Sequence, residues 1–158
     1  MQTYKTFFVA GVGIVFLAGC ALFGSHKPVT LRIHEQASAA LPESHVMTVS
    51  IPRADLKIPV NPYYVLDESD VESAAVRQTP GGSAIMLHFD IHGAIKFDEL
   101  TTRARGEYIV TVLNDRPVAA WLVDQRVTNG EFLVEGDFSD EEAKKAVEAL
   151  NRMSKKWR

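Results

Sequence analysis

A single cysteine in 158 residues excludes an internal disulfide and a cysteine-based zinc site, since each needs at least two thiols. Excess charge of either sign is equally scarce. The 17 Lys and Arg set against 20 Asp and Glu leave a formal net charge of −3, so there is no basic surface of the kind nucleic acid requires. No G-x-S-x-G, no His-Glu-x-x-His and no phosphate-binding glycine loop occurs, and neither does an internal repeat or a low-complexity tract. What remains, 46% hydrophobic and 23% charged residues, is the balance of one ordinary folded domain.

The lone cysteine ends a segment with its own logic. Lys5 and the amino terminus form a weakly positive start, followed by the apolar or small run Phe7 to Ala18. That run suits a signal-peptide core better than a bilayer span, which needs about 20 residues. It closes on Leu17-Ala18-Gly19-Cys20, which resembles the lipobox of bacterial lipoproteins. The resemblance implies cleavage between Gly19 and Cys20 and a covalent lipid on Cys20, with no other cofactor. Residues 1–19 are then a lipoprotein signal peptide, 20–28 a lipid-anchored tether and 29–158 the folded domain. The tether spans at most about 30 Å at ~3.3 Å per residue, so the domain stays close to the lipid. The implied address is extracytoplasmic, on a membrane through acylated Cys20. Ala21 stands where an aspartate would resemble an inner-membrane retention signal, which implies the periplasmic face of an outer membrane in a Gram-negative cell. An uncleaved anchor is the alternative, because the stretch from Thr6 to Ser25 has no Asp, Glu, Lys or Arg.

Beyond Pro28 the hydropathy pattern sets out an alternating domain. Val29 to His34, Met47 to Ile51 and Leu56 to Val60 alternate as half-buried strands, with Pro59 and Pro62 placing the third at an edge. Asp67 to Glu72 reads as one capped, solvated helical turn. After Pro80-Gly81-Gly82, Ala84 to Phe89 is a strand, and Asp90 is set to cap a helix from about Gly93 to Arg105. In that helix Ala94, Phe97, Leu100 and Ala104 form one stripe, and Gly106 ends it. Tyr108 to Leu113 and Val118 to Val123 are apolar at both parities, which predicts central strands covered on both faces. Asn129-Gly130 signals a tight hairpin into Phe132 to Val134. Ser139 and Glu142 form a capping box before the stripe Ala143, Ala146, Val147, Leu150 and Met153. The basic end at Lys155, Lys156 and Arg158 complements the helix C-terminus. Two helices and about seven or eight strands in mixed order predict an α+β fold, a mixed or antiparallel sheet covered by helices.

Several of these pieces resemble the head subdomain in the first periplasmic domain of SecD, a preprotein translocase subunit. Gly93-Ala94-Ile95-Lys96-Phe97-Asp98-Glu99-Leu100-Thr101 is similar to its G-A-x-x-F-x-x-L/V-T helix. Val110 to Leu113 with Asn114-Asp115-Arg116 resembles its strand and turn, Val118-Ala119-Ala120 its V-x-S-A and Thr128-Asn129-Gly130 its T-G-G. Gly136 to Ala143 resembles its G-x-F-T-x-E-E-A, and Asp70 and Ala74 sit where its acidic turn leads into a strand. The likeness runs from about Tyr63 to Asn151 and implies the head fold on a lipid tether. Trp121 replaces the family's proline, and no charged transmembrane helices follow residue 25, so proton-driven export is not implied.

Chemistry-bearing candidates are few. His88, Asp90 and His92 alternate and would face one way on a continuous strand, the arrangement of a metal or small-ligand sensor. The better reading has Asp90 capping the helix and His92 in the turn, hence no metal. Asp67, Glu68, Asp70 and Glu72 lack the glycine and ligand spacing of a calcium loop. Ser83 reads as a turn residue, leaving an unrecognised hydrolase only as a spatial assembly that the order of residues would hide. The expected function is therefore non-catalytic protein binding, with Trp121, Arg116 and Arg126 as contact residues. The expected partner is an envelope protein, the Sec machinery or exported chains, with the bilayer as anchor and no nucleic acid.

Overall fold

The computed structural model describes residues 28–51 and 55–157. Cys20, the Gly19–Cys20 cleavage site and all but the last residue of the tether lie outside the described residues. In chain order the elements are β1 (Leu31–Glu35), β2 (Met47–Ile51), β3 (Leu56–Val60), β4 (Leu66–Asp67), β5 (Val71–Thr79) and β6 (Gly82–Phe89). Then follow α1 (Ile91–Arg103), β7 (Tyr108–Leu113), β8 (Arg116–Leu122), β9 (Glu131–Val134) and α2 (Asp140–Trp157). Short 3₁₀ turns sit at Glu43–His45 and Glu68–Asp70. The strands form a four-stranded sheet ordered β4-β1-β7-β8, a three-stranded sheet β5-β6-β9 and the hairpin β2-β3, all antiparallel. The α+β expectation holds.

Both helices point their stripes into one core. Phe97 and Leu100 of α1, its C-cap residue Ala104, and Ala143, Ala146 and Leu150 of α2 are buried with Ile33, Leu66, Leu87, Ile109 and Val134 from the two larger sheets. Asp90 caps α1, its carboxylate accepting from the Gly93 amide at 2.8 Å. The capping box of α2 is equally direct: the Ser139 amide donates to Glu142 Oε2 at 2.7 Å and the Glu142 amide to Ser139 Oγ at 3.2 Å. These bonds hold the Glu142 carboxyl below the usual carboxylate range. Its contribution to stability is therefore present above that range and is lost as pH falls through the lowered value. Ser139→Ala is expected to cost about 1 kcal/mol near neutral pH in a urea titration, with the gap from the parent protein narrowing in acid.

The pairing differs from the sequence reading at four places. Nine strands occur among the described residues, and β5 escaped the alternation rule because a bulge between Val71 and Ser73 breaks its period. β7 is covered on both faces as expected, Ile109 and Leu113 by the main core and Val110 by the β2-β3 hairpin. β8, however, is an edge strand. Its apolar character at both parities comes from a register shift beside Val118, which buries both Val118 and Ala119. Asn129-Gly130 makes no hairpin: it ends a crossing from β8 to β9, which pairs with β6 in the other sheet. The tight hairpin lies at Asn114-Asp115, whose φ angles of 50° and 61° are those of a type I′ turn. Finally, Ser83 is a buried strand residue, its hydroxyl donating to Asp140 Oδ1 at 2.6 Å and accepting from Gln78 Nε2 at 2.9 Å.

One core position is mismatched. Thr111 is 1% exposed and its hydroxyl has no hydrogen-bond partner among the described residues. It borders an interior void of about 10 Å³ whose other walls are apolar, among them Leu31, Leu87, Val118 and Leu150. That is at the lower limit for one water. Removing a buried hydroxyl with no partner relieves a penalty of about 1–3 kcal/mol, so Thr111→Val is expected to raise the urea midpoint at unchanged slope.

Candidate protein-binding site

The residues chosen from the sequence all lie on or just beyond β8, and the structure gives each an internal partner. Trp121 is half-buried, its ring 5.6 Å from that of Phe132 and 6.4 Å from that of Phe97. Arg116, at the start of β8, donates to the Asp137 carbonyl at 2.6 Å and to Glu142 at 3.1 Å. Arg126 reaches both carboxylate oxygens of Asp98 on α1, at 2.5 and 2.7 Å, and holds that carboxyl below its ordinary range. The three side chains are not gathered into one patch: the arginines fasten opposite ends of β8 to the two helices, and Trp121 packs inward between them.

The histidine-carboxylate group is not assembled either. β6 stops at Phe89, so the alternation that would align the three residues ends there. His88 turns to Glu131, 3.4 Å away, Asp90 caps α1, and His92 is exposed in the first helical turn. No group of three His, Cys, Asp or Glu able to hold a metal occurs among the described residues. The acidic turn is not simply a solvated cap. Asp70 is buried and accepts from Lys96 Nζ at 2.7 Å and from the Asp67 amide at 3.0 Å, while Glu68 pairs with Arg32.

What periodicity could not show is how the strand edges end. On β5 the outer edge is covered by α2 over Glu72–Ala74: the Asn151 side chain accepts from the Ala74 amide at 2.8 Å and donates to the Ala74 carbonyl at 2.9 Å, and Ser154 donates to the Glu72 carbonyl. Such covering is how sheets avoid stray pairing. β8 is covered only at its beginning, where the Asp137 amide donates to the Val118 carbonyl at 2.7 Å. Beyond that point the register decides. The Val123 amide donates to the Glu107 carbonyl, which turns the backbone groups of residues 123, 121 and 119 towards β7 and those of Ala120 and Leu122 outward. These outward groups have no partner among the described residues. Beside them the Leu122 side chain is 47% exposed. Against Val118–Ala120 lies a cleft of about 510 Å³, lined also by Ile51, the 79–81 turn, Ser83 and the 135–137 segment. Further apolar exposure is found at Ile91 and Ile95, one turn apart on α1, and at Tyr63. Both isoleucines fall off the buried stripe of α1, a signal that the helical spacing already carried.

Two helices packed into one core with two antiparallel sheets and an added hairpin define an α+β domain. The profile of the SecDF P1 head subdomain family matches residues 44–152, and the chain belongs to that family. Among solved structures, the crystal structure of SecDF in super-membrane-facing form aligns at 24% identity and a TM-score of 0.63, over 80% of this chain and 19% of that one. The structure of a membrane component SecDF that enhances protein export aligns at the same identity and score, over 80% of this chain and 63% of that one. These likenesses establish the fold, and the chain spans less than two thirds of either relative. No curated protein matches. Among the described residues, no helix is long and apolar enough to cross a membrane.

Proposed function

We propose that this chain is a lipid-anchored, extracytoplasmic protein-binding domain that assists protein export or envelope assembly without catalysing a reaction. The observation that carries the reading is the open outer edge of β8 beside a cleft, on a fold that covers the start of the β5 edge with side chains of its own helix. Two further points support it. The family is that of an extracytoplasmic subdomain, and a solved relative is described as enhancing protein export. The anchor rests on Cys20 within Leu17-Ala18-Gly19-Cys20, and its acyl chains would hold the domain where a single chain would bind only marginally, at ~10⁴ M⁻¹. The mode of binding follows from backbone and apolar contacts, since Arg116, Arg126 and most of Trp121 are already engaged internally.

The test is photo-crosslinking in cells from positions 116, 122 and 126, with Cys20→Ala as the untethered control. Crosslinks to translocon subunits or to many unrelated exported chains identify an export accessory. Crosslinks to one envelope protein, lost with the tether, identify an assembly module. An absence of protein crosslinks at 122, or a saturable hydrolase activity abolished by a point substitution, would overturn the proposal.

A further inference from the structure

We infer that the outer edge of β8 between Ala120 and Leu122 takes up an extended segment of a partner polypeptide as an added strand. This rests on the protein-binding reading and specifies its chemistry. Two outward residues present four backbone groups in the alternation that a neighbouring strand would match, and main-chain pairing of this kind supplies affinity without demanding a sequence. The bound segment extends the β4-β1-β7-β8 sheet by one strand.

The surroundings select a bare strand over a folded partner. The 79–81 turn and the 135–137 segment line the cleft that borders Val118–Ala120, and the Asp137–Val118 bond closes the edge at Val118. The open stretch is two residues long, which suits a short extended segment better than the longer ladder that two copies would share edge to edge. The side chains beside the open groups are Ala119, Ala120, Trp121 and Leu122, none of them charged, so the positions opposite are small or apolar. Glu135 at the cleft is exposed and has no ion-pair partner among the described residues, which favours a lysine or arginine in the incoming segment. The occupant is thus an unfolded or extended stretch of cationic, β-prone chain.

The probe is the synthetic peptide Lys-Val-Thr-Val-Thr-Val-Lys, added to the full-length protein in detergent while amide hydrogen exchange is followed residue by residue. The Ala120 and Leu122 amides face outward and exchange freely without peptide. At saturation they are expected to slow at least tenfold, while Ala119 and Trp121, already paired to β7, change little. Ala120→Pro removes one outward donor at an edge position where proline is tolerated, and is expected to weaken peptide binding at least tenfold at unchanged thermal midpoint. Glu135→Lys is expected to weaken it as well, and more at low salt than at high salt. Unchanged exchange at 120 and 122 under saturating peptide overturns the inference, and protection that grows with protein concentration alone overturns it in favour of a second copy. Crosslinks from 122 in cells without such protection would leave protein binding standing and strand addition refuted. Absence of both would remove the protein-binding reading itself.

Discussion

Phe97→Ala is expected to cost about 3–5 kcal/mol, the range for truncating a buried phenylalanine. Phe97 is 0% exposed, and its ring lies 4.9 Å from that of Phe132, 5.1 Å from that of Phe89 and 6.4 Å from that of Trp121. It therefore joins α1 to β6, β9 and β8 at once, and no single neighbour can relax into the space it leaves. Domains of this size are stable by about 5–15 kcal/mol, so the variant should remain folded in water but lose much of its margin. The check is the urea midpoint, with Phe97→Leu expected to recover much of the loss. A cost below about 1 kcal/mol would mean that the aromatic cluster is loosely packed. The functional consequence is specific: Trp121 is held inward by Phe97 and Phe132, so its near-ultraviolet circular dichroism should weaken in Phe97→Ala before the far-ultraviolet signal changes. β8 would then lose the packing that aims Ala120 and Leu122 outward.

Local signals were most legible where a single element explains them. The caps at Asp90 and at Ser139 with Glu142, and the stripes of α1 and α2, lie where spacing and capping chemistry place them, because those rules act within a few residues. The SecD-head likeness also holds, carried by motifs in fixed order. What failed depends on which strand sits beside which. Asn129-Gly130 has the composition of a hairpin turn, yet β9 finds its partner in β6, and the true turn uses Asn114-Asp115 without any glycine. β8 reads as central because a bulge buries successive residues on an edge strand. Composition singled out Trp121 and two arginines, while the edge proposed for binding is made of backbone atoms at Ala120 and Leu122. No residue type marks such atoms, since every residue except proline carries them. Only the register of the whole sheet tells which of them face outward.

Gly93→Ala should show that shape, as well as charge, sets α1 against the acidic turn. Alanine is the better helix former by about 1 kcal/mol, so in isolation the substitution would stabilise α1. Here an added Cβ would lie 2.6 Å from the Asp70 carbonyl oxygen, 2.8 Å from Asp70 Cβ and 3.0 Å from Phe89 Cβ. The first of these atoms is backbone and is itself engaged, accepting from the Asp90 amide at 2.9 Å. Relief requires α1 to move from the turn, and overpacking of this kind costs about 1–3 kcal/mol. The expected result is a net loss of stability, with the Asp90 amide exchanging faster. Lys96→Met tests the ionic alternative at the same joint. The Asp70 carboxylate beside Lys96 raises the ammonium pKa, and a raised folded value means stability that is present below the ordinary lysine range and is lost as pH climbs through the raised value. Lys96 is 48% exposed but the Asp70 side chain only 6%, so solvent screens the ammonium while its removal leaves a buried carboxylate without its cation, and Lys96→Met should cost about 1–3 kcal/mol near neutral pH. The two proteins should then converge in strong alkali, whereas Gly93→Ala should remain destabilised at every pH, because a steric contact does not titrate.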